Sequence, residues 1–490
     1  MKKLKALLKD LPEALIRGTK ESSITGLSTH SKLTAPGNLF IAKKGLQVDG
    51  NRFIQEAVQA GAVAVLSDLY DPFLPQHITQ IVHPDVREAE ALLAAAYYEN
   101  PSQKLFLAGI TGTNGKTTTS FLIRHILAEK GHPCGLIGTV EWDLGQKIQP
   151  ALQTTPDCIT NCRLLREMVT GECKAAVMEV SSHGLDQGRV RNLEFDAAVF
   201  TNLTQDHLDY HLTMENYGDA KAKFFSSFCA HASTKPWIKT AVVNIDSPWH
   251  ERMLAHCPAA RLTYAIDQAA DLQARDVRLG VTGTSFEIVY RGQALRMQSN
   301  LIGRFNVYNL LAAAGVALVY GMTLESIAEK VRSFHGVPGR LEPIANSRGL
   351  SVFVDYSHKE DALRNVLETL REITSKNIIT VFGCGGDRDR GKRPKMGAVA
   401  TALSDLAIIT SDNPRHENPE AIIAEILQGC KDPARFHVEP NRRSAIFYAL
   451  SKAKPGDAVL IAGKGHERQQ IFGSRVVEFD DCAIAREALE

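Results

Sequence analysis

The sequence predicts an α/β protein of three domains, each built on a largely parallel sheet with helices against its faces. Three observations carry that expectation. The chain has 490 residues, beyond the size at which one hydrophobic core keeps growing. Short apolar runs, continuous rather than alternating, recur between stretches of helical spacing, as strands covered on both faces require. One glycine-rich segment, Gly109 to Thr119, sits between such a run and a helical pattern, the setting that a phosphate-binding loop needs.

Residues 1–102 form the first expected domain. Met1 to Asp10 reads as an amphipathic helix rather than a secretory signal, because its basic start precedes no long apolar core. Asn38–Ala42 and Ala62–Leu66 read as strands, Phe53–Ala60 and Asp85–Tyr98 as helices. Leu27 to Ser31 and Gly45 to Gly50 are polar turns beside strands, loops by residue chemistry alone. Asn100-Pro101-Ser102 reads as a linker, since proline ends the helix before it.

The second expected domain spans residues 103–338 and opens on the phosphate loop. Its glycines let backbone N–H groups close around an anion, and the positive end of the following helix adds to the attraction. Lys116 can reach outer phosphates, and the Thr117 hydroxyl can ligate Mg²⁺. The shorter form Gly112-Thr113-Asn114-Gly115-Lys116-Thr117 carries the signal better than one counted from Gly109; the alternative is a tight turn with a solvated lysine. Ala175–Val180, Asp196–Phe200 and Thr240–Asn244 read as buried parallel strands. Polar residues close these runs: Glu179 with Ser181-Ser182-His183, then Thr201-Asn202 and Asp206-His207. In open α/β sheets the ligand crevice lies at the carboxyl ends of strands, so topology groups these side chains. Glu179 and His207 are candidate Mg²⁺ ligands; the plainer readings are a strand-end charge and a capping or core histidine. Lys221 reads by spacing as an exposed helix lysine. A buried lysine, however, loses its proton readily, and a neutral amine can capture CO₂ as a carbamate that serves as a carboxylate ligand.

Residues 339–490 form the third expected domain, beginning at Gly339-Arg340-Leu341-Glu342. The runs Ser351–Asp355, Ile378–Phe382, Leu406–Thr410 and Ala458–Ala462 repeat the parallel, Rossmann-like pattern. Each is followed by polar residues: Asp355 to His358, Gly386 to Arg388, Ser411 to Arg415, and Lys464 to Glu467. In Asp412-Asn413-Pro414-Arg415 the proline fixes a turn and Arg415 offers a planar fork for a carboxylate. A tight turn followed by a solvated arginine is the alternative.

The totals exclude several function classes. Lys plus Arg number 56 against 55 Asp plus Glu, a formal net charge of +1, which argues against a nucleic-acid-coating or polybasic membrane protein. No apolar run reaches the ~18 residues of a membrane span. The nine cysteines are scattered without a Cys-x-x-Cys pair, so a reducing cytoplasm fits better than a disulfide framework or zinc site.

Together these motifs resemble the Mur ligases, the ATP-dependent amino-acid ligases of peptidoglycan precursor synthesis, over essentially the whole chain. The resemblance implies a UDP-MurNAc-binding first domain, a central ATP-binding domain and a C-terminal amino-acid-binding domain. ATP would be held by Gly112, Thr113, Asn114, Gly115, Lys116, Thr117 and Thr118, with Asn306, Asn309, Arg340, Asp355 and His358. Glu179, His207, Thr117 and carbamylated Lys221 would hold Mg²⁺, making Lys116, Lys221, Glu179 and His207 the catalytic set. UDP-MurNAc-L-Ala-D-Glu would contact Leu27, Ser31, Leu46, Gln47, Val48, Gln153, Thr154, Thr155, Ser181, Gln187 and Arg189. Arg388, Asp412, Asn413, Pro414, Arg415, Gly463 and Glu467 would receive the incoming amino acid, and the Asp-Asn-Pro-Arg form is similar to that of enzymes adding meso-diaminopimelate rather than lysine. The sequence departs from the family at Ser357, Lys359 and Glu360, at Leu46 and at Lys32. A cytoplasmic monomer with small-molecule substrates, no nucleic acid and no membrane span is the accompanying expectation. Lysine- or folate-directed sister ligases, a nucleic-acid-dependent ATPase and a non-catalytic nucleotide-binding protein are the rival readings.

Overall fold

The computed structural model describes residues 1–45, 48–129, 131–229, 233 and 235–490. They divide into two compact units, Met1–Leu272 with Leu311–Leu324, and Gln273–Leu310 with Glu325–Glu490.

Among the described residues the first unit holds two sheets of more than two strands, besides the short pairing of Lys2–Lys3 with Ser23–Ile24. In the smaller one the strands lie in the order Leu15–Arg17, Thr79–Val82, Ala64–Ser67, Asn38–Ile41 and Gly26–Ser28, parallel throughout except for the first pair. Leu39, Ile41, Leu66 and Ile81 pack with Ala89 and Leu93 of the helix Val86–Tyr97. Asp85 caps that helix, accepting from Arg87 N and Glu88 N at 3.0 Å each. The amphipathic helix expected over Met1–Asp10 shrinks to one turn, Leu4–Leu7. Lys2 and Lys3 pair instead with Ile24 and Ser23, and Leu4 N and Lys5 N donate to Ser22 O and Lys20 O. So short a helix has little stability of its own, and a neighbouring segment takes its first N–H groups. Its apolar face survives: Leu4, Leu7 and Leu11 are buried.

The larger sheet orders the strands Ile148–Pro150, Glu141–Asp143, Cys134–Ile137, Ala175–Glu179, Phe106–Thr111, Ala197–Phe200, Thr240–Asn244 and Ala260–Ala265. The last six run parallel, so their carboxyl ends share one edge, with Glu179 opposite Ile110 and Phe200 opposite Thr111. Gly109 belongs to the strand rather than to the phosphate loop. A side chain there would lie 2.5 Å from Phe224 and 2.7 Å from Phe195, so this glycine serves packing. The Pro101–Ser102 linker is fastened to the sheet. Lys235 Nζ donates to Ser102 O, Leu105 O and Glu194 O and pairs with buried Asp196 at 2.5 Å.

The second unit has a sheet in the order Glu342–Ile344, Ser351–Asp355, Ala458–Ala462, Ile378–Phe382, Leu406–Ile409 and Phe436–Val438, antiparallel only at its first pair. It is covered on both faces, as its continuous apolar strands require. Phe353, Phe382 and Leu460 meet Leu363, Leu367 and Met396 on one side; Val354, Val381 and Ile461 meet Ile446, Leu450 and Ala485 on the other. The hairpin Gly283–Tyr290/Gln293–Ser299 also belongs to this unit.

Candidate active site

The phosphate loop leaves the strand Phe106–Thr111 and enters the helix Lys116–Leu127. Gly112 has φ +152°, and a Cβ there would sit 1.9 Å from Thr201 Oγ1, so only glycine lets the loop pass this close to the neighbouring strand end. The loop is tied down by Asn202, whose Oδ1 accepts from Asn114 N at 2.9 Å, and by Thr113 Oγ1, which meets Tyr217 Oη at 3.2 Å. Gly115 precedes the helix without a capping side chain, which suits first-turn N–H groups that are to meet an anion. Lys116 Nζ donates to Gly112 O and Thr113 O at 2.8 Å each.

The strand ends and the helix Met214–Ser227 bring in the remaining members. Glu179 is wholly buried; its carboxylate accepts from Thr117 Oγ1 at 3.1 Å and from Thr139 N and Oγ1 at 2.9 Å each. Lys221 is only 1% exposed, which overturns the reading of an exposed helix lysine. Its Nζ donates to Gly112 O at 3.0 Å and lies 4.6 Å from the Tyr217 ring centre. Burial, helped by the charge of Lys116, holds its pKa well below the usual lysine value. His207 adopts φ +53°, its ring 4.8 Å from His183 and 6.1 Å from Tyr217. Burial lowers the pKa of His183 and, beside it, of His211.

Among the described residues no three His, Cys, Asp or Glu side chains converge as a ready-made metal centre. The donor set nevertheless suits a hard cation. A hydroxyl and a buried carboxylate already touch, and a carbamate on Lys221 would add oxygen donors beside the Gly112 carbonyl.

Next to this cluster lies a cleft of about 500 Å³ lined by Lys44, Val48, Arg87, Gln153, Gln187 and Arg189 among others. Arg189 organises it, donating to Gln153 Oε1 and Thr155 O at 2.8 Å and to Gln187 Oε1 at 2.7 Å. Thr155 Oγ1 donates to Glu179 O at 2.9 Å and meets Ser181 Oγ at 3.0 Å, and Thr154 Oγ1 lies 3.1 Å from Thr139 Oγ1. The cleft and the phosphate loop are therefore linked through Glu179 and Thr139. Ser31 bonds Glu56 at 2.8 Å, and Leu27 lies on the strand Gly26–Ser28; neither lines the cleft. Leu46 and Gln47 lie outside the described residues.

In the second unit the turn Asp412–Arg415 gathers with Gly463 and Glu467. Asn413 Nδ2 donates to Glu467 Oε2 at 2.8 Å. A side chain on Gly463 would sit 2.7 Å from Asp412 Oδ2. Arg415, at φ +52°, donates from Nη1 to Gly386 O at 2.9 Å, and Arg388, beside Gly385, donates to Asp387 O at 3.1 Å. Elsewhere in this unit Arg340 stacks on Tyr356 at 4.9 Å, and Asp355 accepts from Leu341 N and Ser357 N. Burial raises the Asp355 pKa and pushes those of His358 and His466 down to about 4. Asn306 and Asn309 bond each other at 2.9 Å in the helix Arg304–Tyr320.

Sequence reasoning missed Thr139 and Arg87, and marked Lys464 only as a polar residue after a strand, without a role. Thr139 obeys the strand-end rule, but its strand, Cys134–Ile137, contains Gly135 and reads poorly. Gly135 stands there because a Cβ would lie 2.4 Å from Met168 Sδ.

Models of the Mur ligase family match in succession: the Mur ligase family, catalytic domain over residues 23–99, the Mur ligase middle domain over 110–317, and the Mur ligase, glutamate ligase domain over 339–465. A relative from Geobacillus thermodenitrificans (strain NG80-2), named UDP-N-acetylmuramoyl-L-alanyl-D-glutamate--2,6-diaminopimelate ligase, is 41% identical over 100% of this chain and 99% of its own. One of the same name from Gloeobacter violaceus (strain ATCC 29082 / PCC 7421) is 46% identical over 96% and 95%. A solved structure carrying that name superposes with a TM-score of 0.70 at 35% identity, covering 95% of this chain and 94% of the other. End-to-end likeness of this kind, on a fold and phosphate loop built as described, means that the chain belongs to the Mur ligase family of ATP-dependent ligases.

Proposed function

We propose that this chain joins meso-diaminopimelate to UDP-N-acetylmuramoyl-L-alanyl-D-glutamate, using ATP. The observation that carries the reading is the Asp412–Arg415 turn. Arg415 is fixed by Gly386 O, beside the Asn413–Glu467 pair, and relatives of the diaminopimelate-adding name align over 96% and 100% of this chain. Diaminopimelate is lysine with a carboxylate on its far carbon. A guanidinium fork matches that carboxylate and leaves lysine with an unpaired cation.

A carboxylate does not acylate an amine, because oxide would have to leave; ATP, when bound, supplies activation of the D-glutamyl γ-carboxylate as an acyl phosphate. Magnesium, when bound, supplies positive charge to the transferring phosphoryl oxygens. The chain's own part is positioning and electrostatics. Gly112 to Thr118 cradle the phosphates, and Lys116 turns from the loop carbonyls to the outer phosphate oxygens. Thr117, Glu179, His207 and carbamylated Lys221 hold the cations. Asn306, Asn309, Arg340, Asp355 and His358 serve the adenosine and phosphate groups. Arg189 and Gln153 hold the nucleotide-sugar peptide in the cleft, together with Leu27, Ser31, Leu46 to Val48, Thr154, Thr155, Ser181 and Gln187. Arg388, Asp412 to Arg415, Gly463 and Glu467 orient the amine donor.

We assign these tasks to three domains, 1–102, 103–338 and 339–490, in a cytoplasmic monomer. No helix among the described residues is long and apolar enough to cross a membrane. The test is to incubate the protein with ATP, Mg²⁺ and the UDP-dipeptide plus diaminopimelate, lysine or glutamate, following phosphate release and the tripeptide product. Product with diaminopimelate alone supports the reading. Product with lysine alone, or ATPase activity driven only by DNA, overturns it.

A further inference from the structure

We propose that Lys464 is a positioning residue for the incoming amino acid: from behind the acceptor site it sets the Asn413 carboxamide and the Glu467 carboxylate in the orientation the ligand meets. The proposal rests on the functional reading above, since it concerns the same acceptor site. Lys464 is fully buried, and oxygen acceptors surround its Nζ, as a buried polar group requires. Its Nζ donates to Gln469 O at 2.5 Å and to Asn413 Oδ1 at 3.1 Å, and lies 3.5 Å from Glu467 Oε2. Gly463 at φ +117° and Gly465 at φ +52° flank it, so the backbone on either side takes conformations that side chains rarely adopt.

The consequence is an amide with a fixed direction. A carboxamide oxygen has two lone pairs, and Asn413 Oδ1 accepts from both Lys464 Nζ and Ile471 N, each at 3.1 Å. Turned the other way, the amide would present N–H groups to two donors. Its NH₂ therefore faces Glu467, donating to Oε2 at 2.8 Å. Both Lys464 and Asn413 act on that one oxygen, while the Glu467 side chain keeps 34% of its surface exposed. Oε1 is then the oxygen offered to the amino group of an amino acid. Lys464 touches no reacting atom; it acts through Asn413 and Glu467.

Steady-state kinetics of the full chain, wild type against Lys464→Met and Lys464→Gln, test this. Each of ATP, the UDP-dipeptide and diaminopimelate is varied in turn, and thermal melts are recorded alongside. Losing a charged donor to a buried acceptor should raise the diaminopimelate KM about ten-fold in Lys464→Met, with the ATP and UDP-dipeptide KM values unchanged. Lys464→Gln can still donate to Asn413 and should fall between the two. A diaminopimelate KM equal to wild type in a folded variant overturns the proposal, even if the melting temperature drops, because that is the behaviour of a purely structural lysine. If Lys464→Met does not fold, Lys464→Gln decides by the same criterion. Failure of the wild type to use diaminopimelate at all is a different result: it overturns the functional reading and this proposal with it.

Discussion

Lys221 in the first unit and Lys464 in the second are both buried, at 1% and 0% exposure, yet their surroundings are opposite. Lys221 faces a loop carbonyl and an aromatic ring, and Lys116 adds a like charge. Lys464 faces a carboxamide oxygen, a backbone carbonyl and a carboxylate. The first environment disfavours the charged form of the amine, whereas the second furnishes acceptors that fasten the side chain. Burial alone thus says little about a lysine's task, and the partners decide it.

That contrast can be broken in order of expected effect. The largest concerns the phosphate end. Lys116→Ala should lower kcat by about 10²–10³-fold, since it removes a preorganised charge from the transferring phosphoryl group; turnover near wild type would detach the loop from the chemistry. Next comes the amino-acid end. Arg415→Ala should raise the diaminopimelate KM about ten-fold or more while leaving ATP binding intact, and Arg415→Lys should recover only part because it lacks the fork. An unchanged KM would remove Arg415 from the acceptor site.

The smallest effect sharpens the comparison through stability. The folded pKa of Lys221 lies below its unfolded value of 10.5, so the unfolded chain binds the extra proton more readily and stability rises with pH across that window. The cost of burying this amine is present at neutral pH and fades as the pH approaches 10.5. Lys221→Met should therefore melt about 2 °C higher than wild type at pH 7 in bicarbonate-free buffer, with the gap closing toward alkaline pH while activity is lost. A variant less stable than wild type at pH 7 would contradict the account of Lys221 as a buried, proton-poor amine.

Much of the architecture was legible beforehand, for a physical reason. Strands buried on both faces must be continuously apolar, so Ala175–Glu179, Ser351–Asp355 and Ala458–Ala462 announced themselves. Parallel topology then placed the residues following them on one edge, which grouped Glu179 with Thr201, Asn202 and His207, while the contact of Glu179 with Thr117 came from the structure. The N-terminal helix failed because its amphipathic spacing is local, whereas the pairing of Lys2–Lys3 with Ser23–Ile24 is not. Arg87 and Gln153, far apart in the chain, share one cleft only in the folded chain, which spacing does not reveal.

By itself, then, the order of residues determined the α/β class, the phosphate loop and the candidates at the strand ends, since periodicity and turn chemistry are short-range properties. Tertiary structure alone decided which of those candidates is buried, what it touches and in which direction it points. Gly112 O and Lys221 are 109 positions apart, and Asn413 and Lys464 are 51 apart. Neither an amine's loss of its proton nor the orientation of an amide can be read from spacing, because both depend on atoms that only folding brings within reach.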